Sequence, residues 1–365
     1  MAKSSPITIA TLGSHSALDI CRGAKDEGFQ TLVVSEPGRE KTYSQFYKTQ
    51  GNLGCVDECL IVPKFDHILS KEVQTKLQKH NAVFIPHRSL EAYLGFNYQA
   101  IENDFKVPLF GNKYLLRIEE RNARPNQYDL LEAAGIRFPK QFSDPKDIDR
   151  VCLVKVSEKA RKFERAFFLV KSYEEYASVS QEMVEKGKIT TEALQTAVIE
   201  EFILGVQVNF NFFYSPIYDR LELLGTDTRR QTNLDGLLRL PATYQQEVLQ
   251  RMSLSYEEAG HQAVTVLESL LEPAFAMGTA FVAACKKLYS PGIIGPFALQ
   301  SLITAGPPKK EIIVIDVSPR MPGSPGISAT PYSRYLFGEN FSVGRRVAME
   351  IKDAIKQDRL AEIAS

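Results

Sequence analysis

The sequence predicts an α/β protein with a doubly wound parallel sheet at its front and an α+β region behind it. Three observations lead there. Over the first 112 residues, short β-rich runs alternate with helical patterns, and strands feeding helices build parallel sheets. Gly, Ser and His gather where those strands end, at Gly13-Ser14-His15, His87-Arg88-Ser89 and Gly111-Asn112-Lys113. Such sheets collect ligands at that edge. From Val206 onward strands are grouped together and long helices flank them.

In order, Ile7–Leu12 reads as the first strand. Ser14 is placed to cap a helix whose apolar positions include Ala17, Leu18, Cys21 and Ala24. Thr31–Val34 and Cys59–Val62 are strands, Lys71–His80 is helical, and Ala82–Pro86 and Val107–Phe110 are strands again. In a second section, from about Gln127 to Leu204, a helix over Tyr128–Ala134 ends at Gly135, a natural cap. Val151–Val156 and Ala166–Val170 read as paired strands around a charged loop, followed by a helix at Tyr173–Glu185 and a strand at Val198–Ile203. The third section opens with Val206–Phe213, where Val206, Val208, Phe210 and Phe212 alternate with Gln207, Asn209 and Asn211. This is a half-buried strand with a polar face. Leu221–Leu224, Ile293–Leu302 and Glu311–Val317 add strands, and Ala263–Leu288 and Val343–Gln357 add long helices.

Composition narrows the function classes. The 365 residues carry 44 Lys plus Arg and 44 Asp plus Glu, a net charge of zero, which argues against a dedicated nucleic-acid binder. The first six residues lack the apolar core of a signal peptide, and no uninterrupted apolar run reaches the ~18 residues of a membrane span. Cys21, Cys55, Cys59, Cys152 and Cys285 are odd in number and scattered, so they read as reduced thiols of a cytoplasmic protein. There is no P-loop, no G-x-G-x-x-G fingerprint and no G-x-S-x-G elbow.

Five places carry chemistry. At Gly13-Ser14-His15 a glycine lets backbone approach a ligand, and a helix N-terminus favours an anion; the plainer reading is a capped helix with an exposed His. Pro86-His87-Arg88-Ser89 is a similar strand end. Lys155, followed by Lys159, Arg161, Lys162 and Arg165, has the make-up of a phosphate clamp or of a solvated hairpin. Glu200 and Glu201 are adjacent on a strand, so only one faces a given side; one can meet an adenine or ribose. Gln300 and Asp316 lie on two apolar strands. If these pair as a hairpin, the two side chains converge as oxygen ligands of the kind Mg²⁺ takes; the plainer reading pairs Asp316 with Arg320.

Together these pieces resemble the archaeal formate-dependent ligases of purine biosynthesis, members of the ATP-grasp superfamily. The resemblance runs from Ile7 to about Ile355. It is carried by Thr8–His15, Pro108–Asn112, Ile199-Glu200-Glu201, Phe213–Pro216, Glu222–Gly225, Asn233–Leu237, Glu268–Leu271, Gly295-Pro296-Phe297, Leu299–Leu302 and Pro331-Tyr332-Ser333. It implies a Rossmann-like domain over residues 1–125, an ATP-grasp small lobe over 126–205 and a large lobe with a metal site over 206–365. It implies that His15, Ser89 and His261 contact 5-aminoimidazole-4-carboxamide ribonucleotide. Lys155, Glu200, Glu201, Phe202, Ile203 and Gln231 would hold ATP, Gln300 and Asp316 Mg²⁺ or Mn²⁺, and Arg161, Arg165 and Arg320 phosphates. The expected activity is formylation of the ribonucleotide's amine through formyl phosphate, by a homo-oligomer. The alternatives are a paralogue joining another carboxylate and amine, and a non-catalytic nucleotide-binding relative.

The chain departs from the family pattern in five places. The loop Ser157–Arg165 lacks glycine, Asp316 stands where Glu is usual, Gln231 where Glu is common and His261 where Asn is usual. Pro322–Gly326 lacks the Asp and Asn of the family's final loop.

Overall fold

A computed structural model describes residues 6–120, 123–155, 167–252, 258–306 and 308–365. Among these the strands form three sheets. The first is parallel and built from β1 (Thr8–Leu12), β2 (Gln30–Ser35), β3 (Glu58–Ile61) and β4 (Ala82–Phe84) in the order β3-β2-β1-β4. β1 and β4 are buried along their whole length, as expected of strands covered on both faces. Val107–Phe110 continues this layer only through bridging contacts, Phe84 with Leu109 among them, and does not form a full strand.

The second sheet is antiparallel, from β5 (Gln141–Phe142), β6 (Cys152–Lys155), β7 (Phe167–Val170) and β8 (Val198–Glu201) in the order β5-β8-β6-β7. The expected strand pair is present; the charged loop between its strands, with Arg161 and Arg165, lies outside the described residues.

The third sheet is also antiparallel: β9 (Val206–Ser215), β10 (Arg220–Gln231), β11 (Glu258–Ala263), β12 (Gly295–Ile303) and β13 (Ile312–Ser318), in the order β11-β10-β9-β12-β13. One face packs Phe210, Phe212, Phe297 and Leu299 against the helix Leu271–Leu288, which contributes Phe281 and Cys285. The long helix expected over Ala263–Leu288 therefore begins eight residues late. Glu258–Ala263 is an edge strand, its Asp227↔Ala263 pairing with β10 preceding a short irregular stretch.

The C-terminal helix Val343–Lys356 locks the first sheet to the third. It crosses the helix Ala17–Asp26 where Gly23 and Gly344 meet: a Cβ on either would fall 2.1–2.2 Å from the other helix's backbone. Its Arg346, 2 % exposed, bonds Glu222 of β10 at 2.6 Å, pairs with Glu350 at 2.9 Å and stacks over Phe213 at 4.2 Å. A buried charge needs partners of this kind. All five cysteines are free thiols. Among the described residues no helix is long and apolar enough to cross a membrane.

Candidate functional site

The third sheet presents its other face to a cavity of about 350 Å³. Residues directly opposite one another in a sheet share a face, and the register sets Asp227, Asn209, Gln300 and Asp316 in one row across β10, β9, β12 and β13. Two residues along in one direction the same face carries Asn211, Ala298 and Ser318, and two residues along in the other it carries Arg229, with His261 across from it. The polar side of Val206–Phe213 is thus a cavity wall rather than a solvated surface: Asn209 and Asn211 are 3 % and 1 % exposed. The predicted hairpin is formed, with Gln300 opposite Asp316, and both side chains line the cavity. Gln300 Nε2 donates to Ser318 Oγ at 3.1 Å.

Loops of the first sheet close the cavity. His15 follows β1 with φ +49°. Ser14 does not cap the next helix; Ser16 stands at the cap position, and its hydroxyl donates to Pro322 O at 2.5 Å. That proton being committed, the 2.9 Å contact between His15 Nδ1 and Ser16 Oγ requires Nδ1–H to donate, which leaves Nε2 as an acceptor. The ring stacks on His87, centroids 5.4 Å apart. Burial, then the charges of His87, Arg320, His261 and Arg88, hold the His15 pKa down to about 2, so the ring is neutral.

His261 is the opposite case. Its Nδ1 lies 2.5 Å from Asp227 Oδ2 and 3.0 Å from Ser324 Oγ, and its Nε2 lies 3.0 Å from Glu258 Oε1. Burial opposes the charge, but the two carboxylates outweigh it and push the pKa up to about 9.

Arg320 was expected at phosphates. It lines the cavity, yet it is buried and pairs with Glu91 at 3.3 Å and Glu119 at 3.1 Å. Arg88 joins both carboxylates, at 3.1 and 2.6 Å, and it is Arg88 rather than Ser89 that lines the cavity. Ser89 is buried beneath it, its N–H donating to His87 Nδ1. Burial raises the Glu119 carboxyl to about 7 despite Arg320 and Arg88, and Glu91 and Asp316 add to the rise.

The residues expected to hold ATP do not line this cavity. Lys155 on β6 pairs with Glu200 on β8, which also accepts from Tyr128 Oη at 3.2 Å. Glu201 points the other way, toward Arg137 at 3.0 Å and Arg150 at 3.3 Å. So the inward carboxylate is Glu200, as strand alternation demands. Phe202 and Ile203 follow β8, with Phe202 exposed. Gln231 ends β10 beyond a register shift and is half-buried. Sequence reasoning marked the His87-Arg88-Ser89 strand end without giving Arg88 a role, and missed Glu119, Asp227, Arg229 and Glu258. The period-two pattern Asp227, Arg229 after the apolar Leu223-Leu224 was the one available signal.

A parallel-sheet domain followed by two antiparallel sheets is the arrangement of the ATP-grasp ligases. Solved structures bear this out: N5-carboxyaminoimidazole ribonucleotide synthetase in an ADP complex matches with a TM-score of 0.56, at 10 % identity, over 93 % of this chain and 78 % of that one. An IMP biosynthesis protein PurP from Thermococcus kodakaraensis matches with a TM-score of 0.70, at 31 % identity, over 98 % of this chain and all of that one. Family models described as "Domain of unknown function (DUF1297)" and "Protein of unknown function (DUF1246)" match residues 175–365 and 9–142. Relatives named 5-formaminoimidazole-4-carboxamide-1-(beta)-D-ribofuranosyl 5'-monophosphate synthetase are 42 % identical in Methanothermobacter thermautotrophicus and 39 % identical in Methanocaldococcus jannaschii. Each covers 98 % of this chain and 94–95 % of the relative. The chain belongs to this synthetase family.

Proposed function

We propose that the chain is an ATP-dependent carbon–nitrogen ligase that formylates 5-aminoimidazole-4-carboxamide ribonucleotide in purine biosynthesis. One observation supports this reading above the others: His15, His261, Gln300, Asp316 and Arg320, far apart in sequence and each singled out on the family's pattern, meet in one cavity. Formate's carboxylate attacks the γ-phosphorus of ATP, giving formyl phosphate and ADP. The ribonucleotide amine then attacks the formyl carbon, the C–O bond to phosphate breaks, and phosphate leaves with the electron pair and takes up the proton that the amine nitrogen loses. Phosphorylation is needed because the formate carboxylate is resonance-stabilised and has no leaving group.

Catalysis on this scheme is positioning and charge neutralisation. Neutral His15 offers Nε2 as an acceptor for an N–H or O–H of the ribonucleotide, and cationic His261 offers a donor. Lys155, held by Glu200, would bind ATP phosphates from the second sheet, with the 200–203 segment beside the adenine and Gln231 toward the nucleotide. Gln300 and Asp316 suit Mg²⁺ as a pair of facing oxygen donors. Among the described residues no three His, Cys, Asp or Glu cluster into a self-sufficient metal site, and Mg²⁺ characteristically completes its shell with phosphates and water. When bound it would neutralise charge on the transferring phosphoryl group. The same reading makes the protein a cytoplasmic homo-oligomer.

The test is incubation with ATP, Mg²⁺, formate and the ribonucleotide, following ADP and formylated product. Stoichiometric formation of both is expected. Absence of product, or ADP formation indifferent to formate, overturns the assignment.

A further inference from the structure

We propose that Asp227 is a positioning residue: it holds His261, Asn209 and Asn211 in place so that His261 meets an anionic group of the bound substrate as a fixed cationic donor. This rests on the ribonucleotide reading above and names the part of the site that recognises negative charge.

Asp227 is fully buried, and the cavity is lined by its neighbours instead. Among the described residues its side-chain hydrogen bonds run to three of them. Oδ1 accepts from Asn211 Nδ2 at 2.6 Å; Oδ2 accepts from Asn209 Nδ2 at 2.9 Å and from His261 Nδ1 at 2.5 Å. One carboxylate thus sets three cavity-lining side chains. It fixes both amide orientations, and it leaves the Oδ1 atoms of Asn209 and Asn211 without hydrogen-bond partners among the described residues. A buried acceptor in that state is costly unless a ligand donor arrives.

The far side of His261 is built for exchange. Nε2 faces Glu258, whose side chain is 34 % exposed and lies 3.3 Å from Arg229 Nε as well. Two cations on adjacent strands therefore share one carboxylate at the rim, and an arriving substrate anion can take that carboxylate's place. The groups facing His261 are Asp227 and Arg229 from β10, Glu258 from β11, and His15 and Ser324 from the surrounding loops. His15 is neutral, so among these described residues Arg229 is the cation set against two carboxylates. The pKa of about 9 agrees with that balance.

The test reads His261 directly. In the ligand-free protein its imidazole C–H resonance, identified by its loss in His261→Asn, is titrated by NMR. A midpoint near 9 is expected, falling well below 9 in Asp227→Asn, where burial is opposed by Glu258 alone. In turnover, Asp227→Asn is expected to raise KM for the ribonucleotide about tenfold at pH 8, and the loss should shrink as pH is lowered to 6. A merely structural defect would not be rescued by acid. A wild-type midpoint near 6.5 overturns the proposal even if Asp227→Asn fails to fold; so does a variant midpoint that stays near 9. The titration uses no substrate, so its outcome is separate from whether the chain formylates this ribonucleotide.

Discussion

His87→Gln should make the protein resistant to mild acid. His87 is 1 % exposed. Its Nε2 lies 3.0 Å from Leu12 O and must donate, while its Nδ1 accepts from Ser89 N–H at 3.3 Å. Both nitrogens are committed in the neutral ring, and a second proton on Nδ1 would point at an N–H. Burial accordingly lowers the pKa from 6.5 to about 4, the bond to Leu12 O working against the drop. The sign follows from linkage. The folded-state pKa is depressed, so the contribution is fully present above pH 6.5 and is lost as pH falls toward 4. At pH 5 the unfolded chain gains a proton that the folded chain refuses, over 1.5 pH units at 1.36 kcal/mol each, or about 2 kcal/mol. Glutamine can still donate to Leu12 O and accept from Ser89, but it does not titrate. Urea denaturation followed by circular dichroism at pH 7.5 and pH 5.0 should therefore show a wild-type loss about 2 kcal/mol larger than the variant's. Asp19, which burial pushes up to about 6, responds in the opposite sense and cancels in the comparison because both proteins carry it. Losses that agree within about 0.5 kcal/mol would refute the reasoning.

Two further substitutions separate the two ends of the cavity. Asp316→Ala should lower turnover by at least about 10²-fold while leaving ribonucleotide binding by calorimetry unchanged; persistent turnover would remove Asp316 from the essential metal ligands. Gly323→Ala places a Cβ 2.6 Å from His15 Nε2, the acceptor offered to substrate. Losing that hydrogen bond, about 0.5–1.5 kcal/mol, should raise KM for the ribonucleotide about 3- to 10-fold and leave KM for ATP alone; an equal rise in both would show that Nε2 is not a specific contact.

Much of the fold was legible because its signals are local. Strand–helix alternation over the first 112 residues marked the parallel sheet, and the apolar runs around Gln300 and Asp316 marked a hairpin whose register pairs those two residues. The failures were also local in origin. Glu258–Ala263 is short and polar, and its strand character comes from pairing with β10, so local pattern does not show it, and the helix expected from its last residue, Ala263, starts only at Leu271. Ser14 is a good cap by residue type, but Ser16 occupies the cap position and spends its hydroxyl on Pro322, 306 residues away.

By itself the sequence determined which residue types stand at strand ends and on alternating strand faces, and hence the fold class and most of the family's site pattern. Only the tertiary structure decided what each of those groups is. His15 and His261 are the same residue type lining one cavity. One is neutral because burial and nearby cations surround it; the other is cationic because two carboxylates from β10 and β11 flank it. Likewise Arg320, one cation among many in the sequence, is tied to Glu91 and Glu119, more than 200 positions away along the chain. Charge state and partner are properties of neighbours in space, set by desolvation and by Coulomb attraction over a few ångströms, and nearness along the chain does not encode them.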